Sequence, residues 1–350
     1  MSGSPSDPFL DVVVCTYDNA GLLDRTLESL ASQATPDGLA WGCLVVDNNC
    51  TDDTPSVLRR YQESGRIPGF QVVRETVQGL TPARLCGVRN TRAPWIAFVD
   101  DDCALSADWI ANACVFLAEQ PRVGALGGRV VLEWECVPRP WVLEYGYCFA
   151  EQRLGPELRS VASLVGAGLV VSREALERCG WTQEPLLQDR VGKKLVSGGD
   201  VEIVHRIRSS GYELWYVPSC ELRHWIPVRR TQREYLLRMN GGLGASQSYA
   251  DAMNATSGLG WASTVVRALA SRAIELLHLI PNVLRGRRKI AELHMWGAFS
   301  LGYLAGALRL LAPGPPPLKR LLATARVPAP YSAAPGVVGG RTGSHPLDRP

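Results

Sequence analysis

The ten cysteines of this chain include no CxxC pair, and only five histidines are present, which speaks against a zinc site. The N-terminus, Met1 to Pro8, lacks a basic stretch followed by an apolar one. No secretory signal is read there, so the cysteines are expected to be reduced, in a cytoplasm. Long hydrophobic runs are missing too. The longest uncharged, mostly apolar stretch of the C-terminal part, Met295 to Leu308, has 14 residues, whereas a bilayer span needs about 20. A net charge of +3 gives no reason to expect a nucleic-acid partner. Internal repeats and a GxGxxG loop are absent, so a dinucleotide site has no support. With 350 residues, 46% of them hydrophobic and 20% charged, there is material for one large domain and an accessory region.

What is present centres on Trp95-Ile96-Ala97-Phe98-Val99-Asp100-Asp101-Asp102. A short apolar run suits a strand buried on both faces, and three carboxylates follow where it ends. Crowded like charges are costly unless a cation neutralises them, and oxygen ligands suit magnesium or manganese. The same acids also suit a loop that caps the next helix, with Ser106 as N-cap.

Upstream, Leu10 to Val14 reads as a strand, followed by Cys15-Thr16-Tyr17-Asp18-Asn19 and a helix carrying Leu23, Leu27 and Leu30. Leu44 to Val46 reads as a second strand, ending in Asp47-Asn48-Asn49-Cys50-Thr51-Asp52-Asp53-Thr54, with Thr51 as N-cap of the next helix. Phe70 to Val73 is a third strand, and Gln78 to Arg84 opens a helix that tolerates Pro82 in its first turn. Strand and helix in strict alternation predict a parallel α/β sheet. Polar, ligand-capable residues recur at three strand ends and should converge on one edge, where open sheets bind ligands. Turn and capping chemistry explains any one of these clusters, but explains their recurrence less well.

Taken together, Val-Val-Val-Cys-Thr-Tyr-Asp-Asn, Val-Val-Asp-Asn-Asn-Cys-Thr-Asp-Asp-Thr, Gly-Leu-Thr-Pro-Ala-Arg and Phe-Val-Asp-Asp-Asp resemble, in this order, the family-two glycosyltransferases of the GT-A fold. The resemblance covers roughly residues 10–225. It implies a mostly parallel sheet flanked by helices, extended here by C-terminal helices. It also implies a nucleoside-diphosphate sugar donor bound by Thr16, Tyr17, Asp18, Asp47, Asn48, Arg84, Asp100 and Asp101. A divalent metal, Mg2+ or Mn2+, would be held by Asp102 and Asp100, with His224 completing the site. Cys15 and Asp18 stand where the family often has Pro and Asn.

Ser197-Gly198-Gly199-Asp200-Val201-Glu202 opens an apolar helix. Asp200 suits an N-cap. It also resembles the catalytic base of the family's (Glu)-Asp-x-(Asp/Glu) motif, with Gly199 where Glu is common. Glu202 is expected on the helix surface or orienting neighbours. The aromatics Trp134, Trp141, Tyr145 and Tyr147 suit core packing or a sugar face. Tyr212 to Pro218 reads as another strand. The Gln-x-x-Arg-Trp motif of processive synthases is absent after Asp200, which argues for single additions.

Beyond residue 240, Gly241 to Gly244 reads as a flexible joint or acceptor loop. Val266 to Ile280 reads as an amphipathic helix interrupted by Pro281. Between Thr264 and Leu311 lie seven basic and two acidic side chains, which suits either a helical cap or contact with a membrane surface. The expected layout is a flexible terminus (1–8), a catalytic domain (9–227), a helical region (228–312) and a disordered Pro/Gly-rich tail (313–350). The expected function is a metal-dependent, inverting, non-processive glycosyltransferase. It would serve a glycan or lipid-linked acceptor in polysaccharide or cell-envelope assembly, in the cytoplasm or on the inner face of the membrane. A catalytically silent sugar-nucleotide-binding protein remains an alternative. A sugar-nucleotide pyrophosphorylase fits less well, because Cys15 to Asn19 contains no glycine.

Overall fold

The computed structural model describes residues 7–120, 122–187, 189, 198–286, 288–312 and 318–324. The N-terminal half alternates as expected: β1 (Leu10–Thr16), α1 (Ala20–Ala31), β2 (Trp41–Asp47), α2 (Thr54–Ser64), β3 (Gln71–Arg74), α3 (Leu80–Arg89) and β4 (Trp95–Asp100). These strands are mutually parallel in the order β3-β2-β1-β4. The order reverses at β1, and ligands collect at such a switch point. The register pairs Thr16 with Asp47 and Cys15 with Asp100, which sets the three polar strand ends side by side. Val12 and Val14 face one apolar layer and Val13 the other, so the sheet is buried on both faces.

Two expected caps fall elsewhere. The helix after β2 starts at Thr54, where Asp52 rather than Thr51 accepts from the Thr54 amide and hydroxyl. Ser106 is not an N-cap. The acids run instead into a short strand, β5 (Cys103–Leu105), and α4 (Trp109–Glu119) begins after Asp108.

The sheet then becomes mixed. β6 (Val123–Trp134), β7 (Arg159–Ser160), β8 (Leu169–Ser172) and β9 (Glu213–Ile226) complete it, with β8 antiparallel between β4 and β6. β9 is parallel to β6, and β5 runs antiparallel to β9, opposing Cys103 to His224. This pairing carries the late histidine back to the acid triplet. α5 (Arg173–Arg178) and α6 (Gly199–Ser209) cover the second face.

The C-terminal region is helical: α7 (Arg233–Asn254), α8 (Gly258–Leu284), α9 (Ile290–Leu311) and α10 (Leu318–Thr324). The joint expected at Gly241 to Gly244 lies inside α7. These glycines serve helix packing instead: a Cβ on Gly244 would meet Phe299 O at 2.1 Å, and one on Gly302 would meet Gly241 O at 1.9 Å. Small residues therefore let α7 and α9 touch backbone to backbone. α8 runs past Pro281 by three residues, to Leu284. α10 corrects the expected tail over its seven residues, because Leu318, Leu321 and Leu322 recur at helical spacing and pack beside α7 residues. The rest of the tail lies outside the described residues, as do residues 1–6 of the N-terminus.

Candidate active site

One large cavity, about 2110 Å³, opens at the carboxyl ends of β1 and β4 and continues beneath the C-terminal helices. Thr16, Tyr17, Asp18, Asn48, Arg84, Asp100, Asp101, Asp102, Asp200 and His224 all line it. Of the expected site residues, only Asp47 is not among those lining it. Its Oδ1 accepts from the Cys50 amide at 2.8 Å, so it serves as a turn residue.

Several lining residues also brace the rim. Asp101 accepts from Thr16 Oγ1 at 2.7 Å and from Asn19 Nδ2 at 2.8 Å, which ties the ends of β1 and β4 together. Burial, then its neighbour Asp102, pushes its carboxyl above the usual range, while those two donors pull it back. Asn48 is fully used: its amide donates to Glu75 O and Val77 O, and its Oδ1 accepts from Gly79 N at 2.8 Å. Asp18 holds a left-handed φ of 48° and accepts from Thr51 N at 2.6 Å. Tyr17 is 43% exposed, a free ring at the mouth.

Asp102 is buried and lies just past the end of β4. Its Oδ1 stands 3.3 Å from His224 Nε2. His224 Nδ1 lies 2.7 Å from Phe149 O, a carbonyl that only accepts, so this nitrogen carries the proton. That leaves Nε2 as the ring atom facing the Asp102 carboxylate, and its lone pair together with that carboxylate makes a pair of acceptors that a cation between them would join. Arg230 supplies one: its Nη1 sits 2.9 Å from Asp102 Oδ2 and 3.4 Å from His224 Nε2. The chemistry of the donor set therefore fits a divalent ion. Cys103 lies within reach of both groups, but burial first and then Asp102 raise its thiol well above the ordinary value, which makes it a poor ligand. Asp100 is outside this cluster; its Oδ1 faces Arg84 Nη2 at 3.8 Å.

Asp200 lies in the first turn of α6 and is half-buried. Gly166 N donates to its Oδ2 at 3.1 Å, and a Cβ on Gly166 would come within 2.8 Å of that oxygen. The small residues before β8 thus allow the base candidate to approach. Gly198, with φ 146°, turns the chain into α6. Glu202 is not on the helix surface. It is wholly buried, paired with Arg206 at 2.9 Å and accepting from the amides of Leu186 and Leu187, so it orients those two residues against α6.

Two residues at this site escaped sequence reasoning. Arg230 follows an unremarkable Val-Arg. Asp189 is buried in irregular chain, and its Oδ1 accepts from Gly198 N at 3.0 Å and Gly199 N at 2.7 Å. Its Oδ2 meets Arg84 Nη1 at 3.1 Å. A Cβ on Gly199 would fall 2.2 Å from that carboxylate. Asp189 therefore fills the space beside the vacancy that Gly199 leaves, and joins the start of α6 to Arg84. No local pattern in the sequence announces such a long-range partner.

The profile of Glycosyl transferase family 2 matches residues 11–180. Over those residues the chain is similar to a glycosyl transferase family 2 domain. The glycosyltransferase AglE of Haloferax volcanii is 26% identical over 213 residues, 60% of this chain and 64% of AglE. The N-acetylglucosaminyl-diphospho-decaprenol L-rhamnosyltransferase of Mycobacterium tuberculosis is 28% identical over 250 residues, 61% of this chain and 75% of that protein. A mannosyltransferase from Pyrobaculum calidifontis, solved in complex with GDP-Man and Mn2+, superposes with a TM-score of 0.56 at 21% identity, covering 87% of this chain and 88% of its own. That likeness carries the fold, a GT-A sheet with flanking helices. The matched stretch spans β1 to α5 and so contains the acid triplet, while Asp200, His224 and Arg230 lie beyond it.

Proposed function

We propose that the protein is an inverting, non-processive glycosyltransferase that moves a sugar from a nucleoside diphosphate to a hydroxyl of a glycan or lipid-linked acceptor in polysaccharide or cell-envelope assembly. The observation that carries this reading is the meeting of Asp200 with Asp100, Asp101 and Asp102 in one cavity, at the switch point of a family 2 sheet. Asp200 accepts the proton of the acceptor hydroxyl as its oxygen attacks the anomeric carbon. The bond to the diphosphate breaks on the opposite face, and the configuration inverts. Gly166 N and the start of α6 hold the carboxylate for that step. Thr16, Tyr17, Asp18 and Arg84 bind the nucleotide, with Asp47 and Asn48 holding the loop beside them. Asp102 and His224 would hold a divalent ion, which when bound neutralises charge developing on the leaving diphosphate. Asp100 serves this end of the site through Arg84.

Among the described residues, no helix is long and apolar enough to cross a membrane. Leu277, Leu284, Leu301, Leu308 and Leu311 are nonetheless exposed on α8 and α9, and the junction of these helices exposes Arg285, Arg288 and Lys289. This pairing of apolar and basic surface supports peripheral contact with the inner face of the membrane.

Incubation with a panel of sugar nucleotides, Mn2+ and an envelope lipid extract tests the reading. The expected result is metal-dependent release of nucleoside diphosphate, with a product of inverted anomeric configuration by NMR. Nucleotide binding without turnover for every donor would replace the enzyme with a binding protein.

A further inference from the structure

The cavity that holds Asp200 continues to α8 and α9, where Thr264, Ser271, Arg272, Trp296, Phe299 and Tyr303 line it. Arg272 differs from the other cations of the site. Its guanidinium carbon lies 4.3 Å from the centre of the Phe299 ring and 5.6 Å from that of Tyr303. Among the described residues it makes no ion pair and no hydrogen bond, and its Nε is buried without a partner. The nearest acids are committed elsewhere: Glu275 accepts from Trp296 Nε1 at 3.2 Å, and Asp251 accepts from Tyr303 OH at 2.6 Å and Gln247 Nε2 at 2.9 Å.

An arginine cannot shed its proton to escape burial; losing water around it is costly, and Glu275 and Asp251 offset that cost only from a distance. Two aromatic rings return part of that cost. They also fix the guanidinium plane while leaving its donors unused. A fork held in this way matches the paired oxygens of a phosphate. Arg267, whose Nη2 reaches Thr264 Oγ1 at 3.4 Å, lines the same region and adds positive charge. Leu279 and Met295 line it as well and offer apolar surface to the remainder of a ligand.

The geometry points to an anion subsite at Arg272 for the acceptor: the acceptor carries a phosphate or diphosphate that docks on Arg272 while its hydroxyl reaches Asp200 along the same cavity. This rests on the reading of Asp200 as the base, and it names the acceptor's chemical class, a phosphorylated sugar. The phosphate is borne either on a lipid chain or on a free sugar.

Isothermal titration of the full chain with decyl-diphospho-glucose, glucose 1-phosphate and decyl glucoside tests it. Wild type is expected to bind at least one of the two phosphorylated ligands more tightly than decyl glucoside. Binding of decyl-diphospho-glucose alone assigns a lipid-borne phosphate; equal binding of glucose 1-phosphate assigns a free one. Arg272→Gln is expected to weaken the phosphorylated ligand by about ten- to a hundredfold, the loss typical of a charge-assisted hydrogen bond, and to leave decyl glucoside unchanged. Arg272→Lys should fall between the two. If Arg272→Gln fails to fold, Phe299→Leu replaces it, because removing one ring loosens the guanidinium and keeps its charge. Unchanged affinity for the phosphorylated ligands in the folded variant overturns the subsite. So does loss of binding in Arg230→Gln without loss in Arg272→Gln, which puts the anion in the donor half. Wild type binding neither phosphorylated ligand overturns it too. Only binding is read, so failure of Asp200 as a base leaves these outcomes unaffected.

Discussion

Arg230 Nη1 lies 2.9 Å from Asp102 Oδ2, so the buried carboxylate beyond β4 already faces a cation that the protein itself supplies. Burial pulls the pKa of this arginine down, and Asp102 more than restores it. A divalent ion at Asp102 and His224 has to compete with that guanidinium. Arg230→Gln is therefore expected to tighten Mn2+ binding in the absence of nucleotide by about fivefold, the equivalent of roughly 1 kcal/mol. Turnover should fall, because the leaving diphosphate loses a nearby cation. Titration of free Mn2+ by EPR, alongside release of nucleoside diphosphate, checks both halves. Asp102→Ala should abolish the metal response altogether.

Asp189 joins two parts of the site. Its carboxylate caps the turn into α6 and pairs with Arg84, whose side chain is only 5% exposed. Removing Asp189 leaves Arg84 facing the more distant Asp100, 3.8 Å away, and breaking a buried pair costs up to about 3 kcal/mol. Asp189→Ala should show that loss in urea unfolding, together with a lower kcat, because α6 no longer presents Asp200 correctly. Asp189→Asn, which keeps a carbonyl acceptor for Gly198 N and Gly199 N, should lose less.

The contact of α7 with α9 depends on missing side chains. Gly302→Ala places a Cβ against the Gly241 carbonyl, a backbone atom that cannot step aside. The helices must separate, and overpacking of this kind costs about 1–3 kcal/mol. Thermal unfolding is expected to show the loss, with Gly297→Ala as control, since nothing lies within 4 Å of a Cβ there.

The N-terminal half of the fold was legible because its strands are buried on both faces and read as continuous apolar runs, as in Trp95 to Val99. Their ends carry polar residues side by side, Thr16 opposite Asp47 and Cys15 opposite Asp100, which strict alternation with helices implies. The glycines of α7 misled because Gly241 and Gly244 look like a joint until Gly302 and Phe299 arrive from α9. Arg230 and Asp189 were invisible for a related reason: their meaning lies in partners far along the chain, Asp102 for the one and Arg84 for the other. β5, three residues long, left no periodicity to read, yet it is the strand that brings His224 to the acids.

His205 provides a pH test of the packing between α6 and α7. Burial lowers its pKa from 6.5 to about 4, against the hydrogen bond of its Nε2 with Met253 O at 3.1 Å. The unfolded chain takes up a proton that the folded one refuses between these values. Stability is therefore full above about pH 6.5 and falls as the pH drops toward 4. Between pH 7 and pH 5 the loss from this residue is about 1–2 kcal/mol, discounted for partial exposure. His205→Gln should flatten that part of the stability profile, measured by urea unfolding across the range.

In the proposed reaction Asp200 takes the proton of an acceptor hydroxyl beside a nucleotide held by the acid-lined end of the sheet. Asp200→Asn keeps the size of the side chain and an oxygen for Gly166 N, and it removes the base. The decisive measurement is transfer by this variant and by wild type, with donor binding followed in parallel by titration calorimetry. The account predicts unchanged donor affinity and transfer reduced by at least about a thousandfold, within the range of a lost general base. Transfer at the wild-type rate by Asp200→Asn, with the donor bound, would contradict it.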